Sequence, residues 1–114
     1  MKRSILGVVT ALVVAVATEV SAGGIITSKV AEFGLIASTN IGWVRVVGPV
    51  TTQASCATPN YFVVNLATES GRWVFRVLLA AQVQGLPVTI YGTGQCTQAS
   101  GSEDILYIWY NPPI

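Results

Sequence analysis

The chain contains no histidine. That absence removes the Ser-His-Asp and Cys-His arrangements of nucleophilic catalysis. With only two cysteines, Cys56 and Cys96, it also removes the ligand sets that hold zinc. Charge is scarce, at 10% of residues. Beyond position 22, Lys29, Arg45, Arg72 and Arg76 are balanced one for one by Glu32, Glu69, Glu103 and Asp104. A neutral chain with scattered basic residues has no electrostatic footprint for DNA or RNA. It also lacks the polybasic cluster that would hold it on an anionic membrane. No stretch after position 22 approaches the roughly 20 apolar residues that span a bilayer. So little charge leaves much uncharged surface, which favours assembly into a homo-oligomer.

What is present begins with a three-part amino terminus. Lys2 and Arg3 supply positive charge, Ile5 to Ala17 form an uncharged, mostly apolar run, and Val20-Ser21-Ala22 places small residues at a cleavage spacing. This pattern reads as a secretory signal peptide over residues 1–22. A membrane anchor is the rival, but Glu19 ends the run early. Cleavage after Ala22 leaves one small domain, Gly23 to Ile114, exported to the periplasm or the extracellular space. In an oxidising compartment two thiols pair, so a Cys56–Cys96 disulfide is expected. It closes a loop of about 40 residues, worth about 4 kcal/mol by the chain-entropy argument. The two cysteines are too far apart for a CxxC redox motif.

The rest divides into strands and one helix. Ile25 to Phe33 reads as a first strand and Ile41 to Val47, ending at Gly48-Pro49, as a second. Val50 to Asn60 is a polar loop, and Tyr61 to Leu66 is a third strand with Phe62, Val64 and Leu66 on one face. The period then changes. Ser70 is the expected N-cap of a helix over Arg72 to Gln84, with Val74, Leu78 and Ala81, and also Trp73, Val77 and Ala80, at helical spacing. Gly85 and Pro87 stand where a helix stops. Val88 to Gly92 is a fourth strand. Ile105 to Tyr110 is a fifth, setting Ile105, Tyr107 and Trp109 against Leu106, Ile108 and Tyr110, and Asn111-Pro112-Pro113 ends it. Three strands, a helix and two strands are the element order of a five-stranded OB-fold-like Greek-key barrel, mainly β with one helix. An α+β open sheet with the helix packed on it is the alternative.

From Arg72 to Cys96 the chain resembles a group of small exported bacterial proteins, mostly without assigned function. The residues that carry the resemblance are Leu78-Leu79-Ala80-Ala81, Gly85, Val88-Thr89-Ile90-Tyr91 and Gly92-Thr93-Gly94-Gln95-Cys96. In that group an earlier cysteine precedes a Tyr/Phe-rich strand. Over Ile41 to Tyr110 the chain is similar in outline to the B subunits of subtilase-cytotoxin and pertussis-like toxins. That resemblance implies an OB-fold and a sugar-binding, ring-forming subunit, but fold does not fix function. None of the toxins' sugar-contacting residues is carried over to a position here.

No catalytic constellation emerges. The Gly92-Thr93-Gly94 turn lacks the third glycine and following helix of a dinucleotide site. Glu69, Glu103 and Asp104 do not have the spacing of a glycosidase pair and are expected at solvated loop or strand ends. Lys29 and Ser70 read as a surface lysine and a helix cap rather than as base and nucleophile. No cofactor or metal is expected, and an enzyme is not. Binding remains. Trp43, Tyr61, Tyr91, Tyr107, Trp109 and Tyr110 are many aromatics for a small domain. Some fill the core, and the rest offer flat faces to sugar rings. The candidate ligand residues are Tyr91, Tyr107 and Trp109, with Thr52, Gln53, Ser55 and Gln95 on loops that the disulfide draws together. The expected function is a secreted, non-catalytic binding module for glycan. The alternative is an exported protein-interaction or inhibitor domain that docks an envelope or host protein.

Overall fold

The computed structural model describes residues 23–110. The expected signal segment and the Asn111-Pro112-Pro113 terminus lie outside the described residues. Six strands and one long helix follow in order: β1 (Ile25–Ser28), β2 (Val30–Ile36), β3 (Ile41–Val46), β4 (Ala57–Asn65), α1 (Glu69–Gln84), β5 (Val88–Gly92) and β6 (Gly101–Trp109), with a 3-10 turn at Ala37–Thr39. They form one sheet in the order β1-β5-β6-β4-β3-β2. β4 and β6 run parallel, and every other neighbouring pair is antiparallel.

The sheet is curled and barrel-like. β1 and β2 stand at opposite ends of the strand order, yet only Lys29 separates them in sequence. There are therefore six strands rather than the expected five. The segment read as one strand changes partners at Lys29: Ser28 pairs with Val88 of β5, and Val30 pairs with Val46 of β3. A chain that serves both ends of a curled sheet cannot keep one ladder. The main-chain oxygen of Lys29 accepts from Val47 N at 2.9 Å, which fastens the junction to the end of β3.

Strand periodicity builds the core. Val44 and Val46, Phe62 and Val64, and Val88 and Ile90 alternate inward and are buried. The helix adds Phe75, Leu78 and Ala81 along one stripe. Trp73, which shares helical spacing with Val77 and Ala80, is instead 57% exposed. The N-cap is Thr68, not Ser70: its Oγ1 accepts from Gly71 N at 3.0 Å and the helix starts at Glu69. At the other end Gly85 adopts φ 68°, with Gly85 N donating to Gln82 O and Leu86 N to Ala81 O. This is a Schellman ending, which needs the left-handed conformation that glycine tolerates. β4 begins at Ala57 rather than Tyr61, and β6 begins at Gly101 rather than Ile105. Both early portions run beside each other, with Ala57 paired to Gly101. Their polar composition hid them.

Candidate functional site

The sequence of β5 sets one side of the site. Val88, Ile90 and Gly92 are buried, so Thr89 and Tyr91 point outward. Antiparallel pairing then lays residues directly across. Ile25, Tyr91 and Tyr107 form one row, and Thr27, Thr89 and Trp109 form the next. Opposite side chains in such rows touch. The Tyr91 and Tyr107 rings stack with centroids 4.2 Å apart and planes 16° from parallel. The Thr27 and Thr89 hydroxyl oxygens are 2.7 Å apart. An open groove of about 510 Å³ runs over this face, lined by Ile25, Thr27, Pro87, Thr89, Tyr91 and Trp109.

A bulge aims the aromatics. The register passes from Tyr91 opposite Tyr107 to Gly92 opposite Ile105, which leaves Leu106 as the extra residue. Ile105 therefore packs on the core with Ile108, while Tyr107 and Trp109 face out, 46% and 58% exposed. Strict alternation puts Ile105 on the same face as Tyr107 and Trp109, and the bulge overturns that. Tyr110 turns its hydroxyl to Gln84 Oε1 at 2.7 Å. Trp43 and Tyr61 pair elsewhere, with ring centroids 5.8 Å apart.

The groove is lined without a charged side chain. Tyr91 borders it while its ring stacks on Tyr107, so Tyr107 backs Tyr91 rather than lining the groove itself. Hydrogen bonding to the Tyr91 phenol, then loss of hydration, raises the Tyr107 hydroxyl above the ordinary tyrosine value. Each threonine hydroxyl carries one donor and two acceptor lone pairs. The Thr27–Thr89 pair uses one donor internally and keeps one donor and several acceptors for a ligand. Thr27 and Thr89 were not among the sequence candidates. The alternation Val88-Thr89-Ile90-Tyr91 already placed Thr89 beside Tyr91, whereas Thr27 needed the β1–β5 register.

The four loop candidates divide. Thr52 Oγ1 accepts from Ile25 N at 3.2 Å, beside the Ile25–Tyr91 row. Gln53 is committed to the fold: its Nε2 donates to Tyr61 O at 2.6 Å and its Oε1 accepts from Asn60 N at 2.8 Å. Ser55 and Gln95 are exposed, each next to a disulfide cysteine. The structure thus gathers Tyr91, Tyr107 and Trp109 on one face with Thr52 at its end, and it keeps Gln53 out. The disulfide joins Cys56 to Cys96 as expected, with the two α-carbons 6.2 Å apart. Such a bridge belongs to an oxidising environment.

Two acids prove to be organisers of the loops. Glu103, expected at a solvated end, has no exposed surface. Its Oε2 accepts from Gly24 N at 2.9 Å and Gly94 N at 2.8 Å, and its Oε1 from Ala54 N at 3.1 Å. It reaches them because the backbone of Gly92 leaves no side chain in its path; a Cβ there would collide with the carboxylate. The neighbouring Asp104 turns the other way and accepts from Thr97 N and Gln98 N. Both acids are thereby held by structural donors. Among the described residues no group of His, Cys, Asp or Glu is arranged to hold a metal ion. No helix among them is long and apolar enough to cross a membrane. No family model, no curated protein and no solved structure matches the chain.

Proposed function

We propose that the chain is an exported, non-catalytic binding module that recognises uncharged glycan in the groove over β1, β5 and β6. The observation that carries this reading is the adjacency of Tyr91, Trp109 and the Thr27–Thr89 hydroxyl pair in neighbouring rows of one outward face. Aromatic planes take the C–H face of a pyranose, and the hydroxyls take its alcohols. The absence of charge along the groove favours neutral sugars over sialylated or uronic ones. Counted as one bent strand, β1 and β2 bring the strand number to the five of an OB-type barrel, with the helix between its third and fourth strands. The resemblance to exported toxin B subunits agrees with the same reading.

The test is a glycan array with the oxidised protein, alongside light scattering for assembly. Trp109→Ala should lower affinity for any bound glycan at least about tenfold, or roughly 1.4 kcal/mol, while leaving the melting temperature unchanged. Array silence at high protein concentration removes the proposal. A second reading, a protein-docking domain, draws on a different surface. Phe33, Leu35 and Ile36 on β2 are 42%, 62% and 40% exposed, and Trp73 on α1 is exposed too. Phe33 and Leu35, two positions apart on one strand, face the same way, and exposed apolar patches mark interaction sites. A stoichiometric partner lost on Leu35→Asp but kept on Trp109→Ala would favour it.

A further inference from the structure

We propose that cleavage after Ala22 completes the domain: the new α-amino group of Gly23 docks beside Glu103 and supplies the cation that this buried carboxylate otherwise lacks. The inference rests on the export reading above and adds a structural consequence to it.

Glu103 has no exposed surface, and its partners are the neutral N–H groups of Gly24, Ala54 and Gly94. A buried charge left without a counter-charge is costly. Every cation among the described residues is placed elsewhere. Arg45 pairs with Glu32, Arg72 donates to Leu66 O, Arg76 lies over the Trp73 ring, and Lys29 is exposed at the β1–β2 junction. The acid next in sequence, Asp104, is turned toward Thr97 and Gln98. The loops over residues 50–56 and 93–97 bring no ionisable group except the bridged cysteines.

The main chain that does approach Glu103 is the start of the domain. Gly23 and Gly24 are both buried. A Cβ built on Gly23 would stand 2.6 Å from Glu103 Oε2 and collide with Gly92 O. Position 23 therefore accepts glycine alone, and its backbone lies against the carboxylate. The Gly23 nitrogen is one bond from that α-carbon. In the uncut chain it is a neutral amide. Hydrolysis of the Ala22–Gly23 bond by a peptidase of the export route consumes one water. It leaves a carboxylate on Ala22 and, at neutral pH, an ammonium on Gly23, bonded to the α-carbon that lies beside the carboxylate. An expected cleavage point and a buried, unpaired acid thus coincide at one residue.

Two preparations test this: the full chain exported by a bacterial host, and the Gly23-initiated chain released in vitro from a removable leader. Intact mass of the exported protein should give Gly23 as first residue; any other first residue overturns the processing step. Nuclear magnetic resonance of an isotope-labelled Gly23 amine reads the docking in either preparation. The amine should titrate at least a full pH unit above the ordinary α-amino value of about 8. Titration at the ordinary value overturns the ion pair, whatever the cleavage site. Acetylating the Gly23 amine should lower the melting temperature by several degrees in the native sequence and leave the Glu103→Gln protein unaffected. Equal losses in both would also sink the ion pair.

Discussion

Glu103 is the residue on which most of the loop geometry hangs. Removing its carboxylate strands three N–H donors, buried at Gly24 and part-buried at Ala54 and Gly94. An unsatisfied buried donor costs about 1–3 kcal/mol. Glu103→Ala should therefore cost about 3 kcal/mol or more, a fall in Tm of more than about 10 °C for a domain of this size. Glu103→Gln should cost less, because its amide oxygen still accepts. Thermal melts of the two variants check the order, and equal melts with the parent would refute it. Tyr107 carries a pH consequence. Its hydroxyl is raised by Tyr91, so the unfolded chain ionises first, at about pH 10. The stability it contributes is present below that pH and is lost as pH rises toward the folded value. Tyr91→Phe removes the partner oxygen, and phenolate absorbance should then show Tyr107 titrating closer to the ordinary value. Sequence alone singled out Tyr91, Tyr107 and Trp109, because aromatics on an alternating strand announce themselves. It misplaced Glu103, since a carboxylate reads as solvated unless its donors are known, and backbone donors leave no trace in sequence.

The elements were legible where hydrophobic period is strong and obscure where polar backbone pairing decides. β5 falls on Val88–Gly92 as predicted, and α1 stops at Gln84 as predicted, because alternation and the Gly85 signal are local. The start of α1 was displaced. Thr68 and Ser70 are equally plausible caps by residue type, and the choice follows from Thr68 having extended φ and ψ of −98° and 151°. That distinction is measurable. Thr68→Ala should destabilise by about 1 kcal/mol, whereas Ser70→Ala, inside the first turn, should stay within about 0.5 kcal/mol. Reversal of that order in chemical denaturation would return the cap to Ser70. The division of the first strand at Lys29 and the bulge at Leu106 were invisible for one reason: both are set by partners distant in sequence. The bulge has a functional edge, since without it Tyr107 and Trp109 would not share the outward face with Tyr91 while Ile105 stays in the core.

At the scale of the molecule, two ties hold the same pair of loops. The Cys56–Cys96 bridge fastens the loop before β4 to the loop before β6. Glu103 fastens Ala54 of the first to Gly94 of the second, and adds Gly24 at the start of the domain. The disulfide closes a separation of 40 residues, which in the chain-entropy argument is worth about 4 kcal/mol through the unfolded state. The carboxylate acts wholly in the folded state, by satisfying donors. With the bridge intact, Glu103→Ala leaves those donors trapped, because the loops cannot part to admit water. With both cysteines replaced by serine, the loops are free to swing open and hydrate the N–H groups. The penalty for losing Glu103 should then shrink. A cycle of Glu103→Ala, the double cysteine replacement and their combination, followed by denaturant unfolding, should give a combined loss smaller than the sum of the two. The shortfall should lie in the range of about 0.5–3 kcal/mol that sites sharing a structural unit show. Strict additivity would mean that the loops stay closed without the bridge, and that the carboxylate alone sets their geometry.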